Sequence, residues 1–452
     1  MDTSLNPNPE LVVALNVGSN KVSAFAGKKN LLGKVELLGY GVAPCEGVNR
    51  GIVSNIDKTS KAICDAIDLA EKRCKLEINT VFVGIAGEHV KSLHHQGVMY
   101  RDNPKVEISQ EDIDILIQNM HKIALPHGDK ILHVVPQEFY IDNQKEGYLD
   151  PIGMSGSRLE SNFHIITANT EALDNLVRAV EKAQLQIAGF VLEPTATAEA
   201  VLSKDEKEGG VVLIDIGGGT TEVSIYADGI VRYTGVVPLG SNVITKDIKA
   251  GCSVIHEQAE KLKLRFGSAV ADEIVDNRII TIPGLMGREP KEISEKNLSR
   301  IIQSRVEELF EYIMWEIRRS GFENKLIAGM VLTGGGSKLK DIELLAEFQT
   351  GLSTRIGLPL EQKIAHMDAD ALNPAYATGI GILLESMKKV TPGLPDIPET
   401  KKQIHIMNLD PEDELEGAVP EVEKSPGLFK KLKDGVYEGF TGFFRPGADS
   451  EF

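Results

Sequence analysis

From residue 11 to residue 390, short runs rich in β-branched residues alternate with longer stretches whose apolar positions recur every three or four residues. This alternation predicts an α/β chain with helices covering a sheet. Two of the β-rich runs share one design. In residues 11–25, LVVALNVGSNKVSAF, an apolar run reaches Asn16, turns over Gly18, Ser19 and Asn20, and resumes at Lys21 as a second β-rich run. Residues 210–226, GVVLIDIGGGTTEVSIY, repeat that order through Asp215, Gly217, Gly218, Gly219, Thr220 and Thr221, with a turn that reads as two residues longer. Each predicts a hairpin whose tip carries glycine beside an amide or a carboxylate. Asn16 and Asp215 lie too far apart for a tandem repeat, so the pattern predicts two related lobes facing one cleft.

A third glycine cluster, Gly334, Gly335 and Gly336 followed by Lys338, closes a buried-type strand and precedes a presumptive helix over 339–351. Strand, glycines and helix in that order are the grammar of a nucleotide-contacting turn. Between the two hairpins lies more chain than one lobe needs. Ser109 and Asp112 form a capping-box-like start to a helix with Ile113, Leu116, Ile117, Met120 and Ile123 on one face, and a strand is expected over 131–141. We assign residues 88–163 to an inserted subdomain. Residues 295–317 read as a long amphipathic helix, most of it core packing, with Lys296, Arg300 and Arg305 off the apolar stripe.

Beyond Lys389 the pattern changes. Six prolines interrupt residues 391–426, and nine acidic residues between Asp396 and Glu423 face only Lys401 and Lys402. Such a segment buries too little surface to offset its ordering entropy and reads as an extended linker over 391–424, the alternative being a strand over 403–407 docked on the core. Residues 425–452 differ again. On a helical wheel Leu428, Phe429, Leu432, Val436, Tyr437, Phe440, Phe443 and Phe444 fall on one side, with Lys430, Lys431, Asp434 and Glu438 opposite. A short basic helix with four phenylalanines, interrupted by Gly435, Gly439 and Gly442, fits an interfacial membrane anchor that folds on binding. A stripe docked on the core or on a partner is the competing reading.

Composition narrows the classes. The net charge of −17 over 452 residues argues against broad nucleic-acid binding. Four cysteines without C-x-x-C spacing suggest neither a disulfide framework nor a zinc site, and the ten histidines form no metal motif. The N-terminal residues 1–10 lack the basic and apolar regions of a signal peptide, and no apolar run is long enough to span a bilayer. The expectation is a cytoplasmic protein.

Glycines at the three turns let backbone N–H groups approach phosphate oxygens that a Cβ would exclude. Ser19, Thr220 and Thr221 add hydroxyl donors, Lys21 offsets phosphate charge, and Asp215 at a strand end is placed to hold Mg2+ directly or through its water shell. With these residues the chain resembles the actin-like ATPase superfamily, in which two hairpins clasp the phosphates and a third turn meets the adenosine of ATP. Residues 191–200, with Glu193 before Pro194, are similar to the segment connecting the lobes in that superfamily, and residues 373–381 to its partner. Glu260 and Lys263 resemble the pair that reaches the ribose or adenine in bacterial actins. Together with residues 134–139 and with Gly240 and Asn242 in 238–245, they narrow the resemblance to the FtsA family of bacterial division actins, from about residue 11 to 390.

The resemblance implies a two-lobed actin-like fold, a first lobe over 11–208 carrying the insert, and a second over 209–390. It implies that Glu193 orients the attacking water with Asp215 as the Mg2+ partner, against the plainer reading of Glu193 as a helix-start carboxylate. Many superfamily members carry an acid where this chain has Asn16. The amide keeps hydrogen-bonding capacity without the charge that orients hydrated Mg2+, so nucleotide reads as a polymer cofactor with at most weak ATPase activity. The implied function is an ATP-binding protein that polymerises on the inner face of the cell membrane at the division septum and tethers the FtsZ ring through the amphipathic tail. Lys296, Arg300 and Arg305 would meet the acidic C-terminal peptide of FtsZ, unless they form only a solvated face. A small-molecule kinase of the same superfamily is the alternative, and it leaves the tail without a role. A chaperone ATPase is disfavoured because too little chain follows the core for a substrate-binding domain.

Overall fold

The computed structural model describes residues 11–30, 34–284, 289–365 and 369–389. The linker at 391–424 and the tail at 425–452, with Leu428, Phe429, Leu432, Val436, Phe440, Phe443 and Phe444, lie outside the described residues.

The chain opens with β1 (Val12–Val17), β2 (Lys21–Lys29) and β3 (Val35–Pro44), a short ribbon of β4 (Val48–Asn49) and β5 (Ile52–Val53), then α1 (Ile56–Cys74) and β6 (Thr80–Ile85). Asn55 starts α1 by accepting a hydrogen bond from the Lys58 N–H, and its apolar face, Ala62, Ile63, Ala66, Ile67 and Ala70, is buried. The insert follows as β7 (Val90–Tyr100), α2 (Gln110–Met120), β8 (Asp129–Ile141) and β9 (Arg158–Asn169), its three strands ordered β7-β9-β8. Ser109 and Asp112 form the capping box of α2, which buries Ile113, Leu116 and Met120 over that sheet. Strand β9 runs on past the edge expected near residue 163. The first lobe resumes with α3 (Thr170–Lys182), β10 (Gln186–Leu192), α4 (Glu193–Val201) and α5 (Lys204–Gly209).

The second lobe contains β11 (Val211–Ile216), β12 (Thr221–Ala227), β13 (Ile230–Val237), α6 (Ser241–Gly251), α7 (His256–Phe266), the hairpin β14 (Ile279–Ile282) and β15 (Lys291–Ser294), and α8 (Glu295–Ser320). Helix α8 buries Leu298, Ile302, Val306, Leu309, Phe310, Ile313 and Ile317, a stripe of period 3.6 that seats it in the lobe's core. Then come β16 (Met330–Thr333), a 3-10 turn over Gly335–Lys338, α9 (Ile342–Thr350) and β17 (Thr354–Ile356). The helix expected from residue 339 thus starts at Ile342, because the chain first closes the 3-10 turn with the Leu339 N–H donating to Gly336 O.

The chain then returns to the first lobe. Strand β18 (Ile364–Ala365) pairs parallel with β3, completing a sheet ordered β10-β6-β1-β2-β3-β18. Helix α10 (Ala377–Lys389) shares a core with Val12, Ala14 and Phe25 of that sheet and with Ala196 and Ala200 of α4. A second lobe running unbroken from 209 to 390 is therefore corrected: β18 and α10 pack in the first lobe, since the apolar faces of β1 and β2 need a helical cover. Helices α4 and α10 cross so closely that a Cβ on Gly381 would stand 2.0 Å from Ala196 O.

Candidate nucleotide cleft

Both hairpins form antiparallel pairs, β1 with β2 and β11 with β12, and their registers coincide. Asn16 faces Ser23 and Val17 faces Val22, while Asp215 faces Glu222 and Ile216 faces Thr221. The turns are closed by equivalent bonds, Gly18 N–H to Lys21 O at 3.0 Å and Gly217 N–H to Thr220 O at 2.9 Å. The expectation of a longer second turn is overturned: Thr220 occupies the turn position of Lys21, inside the loop.

The two tips meet across a cleft of about 700 Å³. Its walls include Asn16, Gly18, Ser19, Asn20, Lys21, Glu193, Asp215, Gly217, Gly218, Gly219, Thr220, Glu260, Lys263, Gly334, Gly335, Gly336 and Lys338. Asn20 of the first tip and Asn242 in the first turn of α6 exchange hydrogen bonds of 2.7 and 2.6 Å. Gly240 packs against Gly218, and the Ser241 and Asn242 N–H groups donate to Gly217 O and Gly218 O at 2.9 Å. Thr221 is an exception among the expected donors: fully buried, it gives its hydroxyl to Leu239 O at 2.8 Å and points away from the cleft.

Lys21 is held by donation to Ala375 O at 2.6 Å and lies 4.6 Å from the centre of the Tyr376 ring. Burial pulls its ammonium down to about 8, against the attraction of Asp215. Asp215 accepts hydrogen bonds from Thr378 at 2.6 Å and Thr197 at 3.2 Å, yet burial still raises its pKa. Glu193 opens α4, with Pro194 in the first turn, and its carboxyl sits over Gly84, where a Cβ would come within 2.5 Å. Burial, reinforced by the charge of Asp215, pushes it up to about 8. The shift favours the neutral carboxyl, and cationic charge close by would favour the carboxylate.

Sequence reasoning passed over Glu222. It faces Asp215 in the hairpin, burial and then the charges of Glu193 and Asp215 raise its pKa well above the ordinary range, and its Oε2 has no hydrogen-bond partner among the described residues. The alternation of β12 hid it, because a polar residue in a strand normally faces solvent. Thr197 and Thr378, the hydroxyls on Asp215, also bond to each other at 3.1 Å, and only the crossing of α4 with α10 brings them together.

At the far end, Lys263 is buried among Glu260 at 2.9 Å, Thr245 Oγ1 at 2.8 Å and Ser241 O at 3.2 Å, so this pair forms a fixed polar wall. The third turn needs glycine at 334: φ is +83°, and a Cβ would lie 2.2 Å from Asp215 Oδ1. Away from the cleft, Lys296 meets Asp272 at 3.1 Å and Arg305 is bound by Asp247 and Glu308. Arg300 is exposed and meets no carboxylate among the described residues.

The donor set fits Mg2+ of a particular kind. Among the described residues no group of three His, Cys, Asp or Glu is set to hold a metal ion by itself, and Asp215 with the Glu222 oxygen would suit an ion that keeps most of its waters. Among the described residues no helix is long and apolar enough to cross a membrane.

Comparison with known proteins agrees with this architecture. Residues 212–381 match the family described as Cell division protein FtsA, and residues 87–167 match the SHS2 domain inserted in FTSA. Cell division protein FtsA of Pseudomonas aeruginosa is 36% identical over 386 residues, 85% of this chain and 91% of its own length. That of Neisseria meningitidis serogroup B is 37% identical over 431 residues, 95% and 98% of the two chains. Among solved structures, a chain of a PilM-PilN type IV pilus biogenesis complex superposes with a TM-score of 0.61 at 16% identity, over 83% of this chain and 98% of its own. MreB5 of Spiroplasma citri bound to ADP gives 0.51 at 13% identity, over 86% and 100%. The structural likenesses establish a mixed α/β actin-like fold, and the sequence relatives establish the lineage: this chain belongs to the FtsA family of cell division proteins.

Proposed function

We propose that the chain binds ATP with Mg2+ in the cleft, assembles with copies of itself, and holds FtsZ to the inner face of the cell membrane through residues 425–452. The observation that carries the reading is the pair of register-matched hairpin tips facing each other across one cleft, Lys21 on one side and Asp215 on the other. MreB5, of the same fold, was solved bound to ADP, which supports a nucleotide here.

In this reading the N–H groups of Ser19, Asn20, Gly218 and Gly219, within turns that the Gly18 and Gly217 N–H groups close, receive phosphate oxygens, with Lys21 offsetting their charge. Glu260, Lys263 and Gly336 form the wall for the ribose and base. Asp215 and Glu222 hold the waters of Mg2+, which supplies charge neutralisation at the phosphates. Glu193 orients the water that attacks, and Asn16, lacking a charge, keeps turnover slow. Arg300 supplies the uncommitted positive charge on α8 for an acidic FtsZ peptide, since Lys296 and Arg305 already have carboxylate partners. Many tails in one polymer bind a membrane far more tightly than one.

Flotation with anionic vesicles, with and without residues 425–452 and with and without ATP, tests the whole. Lipid binding that needs the tail and strengthens with ATP is expected. Lipid-indifferent protein whose ATP turnover depends on a small acceptor would overturn the reading in favour of a kinase.

A further inference from the structure

The insert is rooted in the first lobe, entered from β6 and left into α3, yet its side chains fasten on the second. Strand β13 is the edge of the second-lobe sheet, whose order is β13-β12-β11-β16-β17. An edge strand presents unpaired backbone groups. Here the insert takes them: Ser92 of β7 donates to Thr234 O at 2.9 Å, and Gln137 of β8 donates to Val231 O at 2.9 Å. His164 of the central strand β9 lies 3.1 Å from Thr234 Oγ1, and Glu138 lies 3.0 Å from the Arg232 guanidinium. Gln137, His164, Arg232 and Thr234 are all buried, so the Gln137 and His164 contacts are shielded from water, while those of Ser92 and Glu138 are partly open to it.

The same strand leads to the cleft. After Val237 the chain reaches Gly240, Ser241 and Asn242, which hold the second hairpin tip, and Asn242 pairs with Asn20. A rotation of one lobe against the other must therefore break the four contacts on β13 or carry the insert with it.

We propose that the inserted subdomain is a clasp on the second lobe, closed by Ser92, Gln137, Glu138 and His164 on β13, through which occupancy of the cleft is coupled to the position of the insert. The proposal rests on the reading of the cleft as an ATP site.

The test uses the full chain and the Ser92→Ala/Gln137→Ala double variant, neither residue being part of the cleft. ATP affinity and release, and hydrogen exchange of the amides in residues 230–237, are measured for both proteins, empty and saturated with Mg-ATP. The expected result is ATP release about fivefold faster in the variant, from the loss of one buried and one partly buried hydrogen bond. Faster exchange along β13 is also expected in the variant, and by a larger factor in the empty protein than in the filled one. Should the double variant fold poorly, Glu138→Gln, which loses only the ion pair with Arg232, is read in the same way with a smaller change. Unaltered release, or an exchange increase that is the same with and without ATP, overturns the coupling while leaving the ATP site standing. Absence of ATP binding by the unaltered chain overturns the functional reading and the coupling together.

Discussion

The two hairpins share a register but not a chemistry. The first tip carries side chains, Ser19, Asn20 and Lys21, where the second carries Gly218, Gly219 and Thr220. A Cβ on Gly218 would stand 2.5 Å from Asn20 and one on Gly219 2.5 Å from Ser19 Oγ, so the second tip is bare where the first is dressed. Charge is divided the same way. The first hairpin offers Lys21 and the neutral Asn16, whereas the second offers Asp215 and Glu222. The comparison teaches that two hairpins of one register are complementary because they differ at equivalent positions, one carrying a cation and the other acids, which in the proposed function serve phosphate and a hydrated ion.

The most severe way to break that division is Asp215→Asn, which gives the second hairpin the residue of the first. ATP turnover should fall about 100-fold, and binding should lose its dependence on Mg2+, measured by titration with and without the metal. Asn16→Asp makes the reverse change. Turnover should rise about tenfold in a phosphate-release assay, and no rise would show that Asn16 does not limit hydrolysis. Gly218→Asn collides with Asn20 and should cost about 2 kcal/mol in denaturant unfolding, of which adding Asn20→Gly recovers a large part if the tips interlock as described.

The smallest effect concerns Glu193. Its carboxyl is held up to about 8 in the fold against about 4.5 when unfolded, so the folded state binds more protons between those values and wild-type stability declines as pH climbs through that window. Glu193→Gln has no such titration. Its melting temperature should match the wild type at pH 5 and exceed it by about 2–4 °C at pH 9, and equal values at both would show that the carboxyl is not enclosed.

Most of the frame was legible in the linear pattern. Glycine turns after apolar runs located all three cleft turns, since backbone geometry admits few residues there. The Ser109 cap and the stripe of α8 were equally plain, because capping and helical periodicity are local properties. Other features were not. The equal turn lengths were misread because strand ends are defined by pairing across the hairpin, which single residues do not reveal. Thr221 looked like a donor by adjacency to the glycines, but strand alternation turns it inward.

What the chain order alone determined is the presence of two glycine-tipped hairpins, a third glycine turn, an insert between them and a basic apolar tail after an acidic linker, for each depends on neighbours within a few residues. Only the tertiary structure decided that β18 and α10 return to the first lobe, that Thr197 and Thr378 converge on Asp215, that Glu222 is buried beside it, and that the insert grips β13. Those contacts join segments far apart in the chain, and their energy comes from burial and hydrogen bonding across elements that sequence periodicity orients but does not pair.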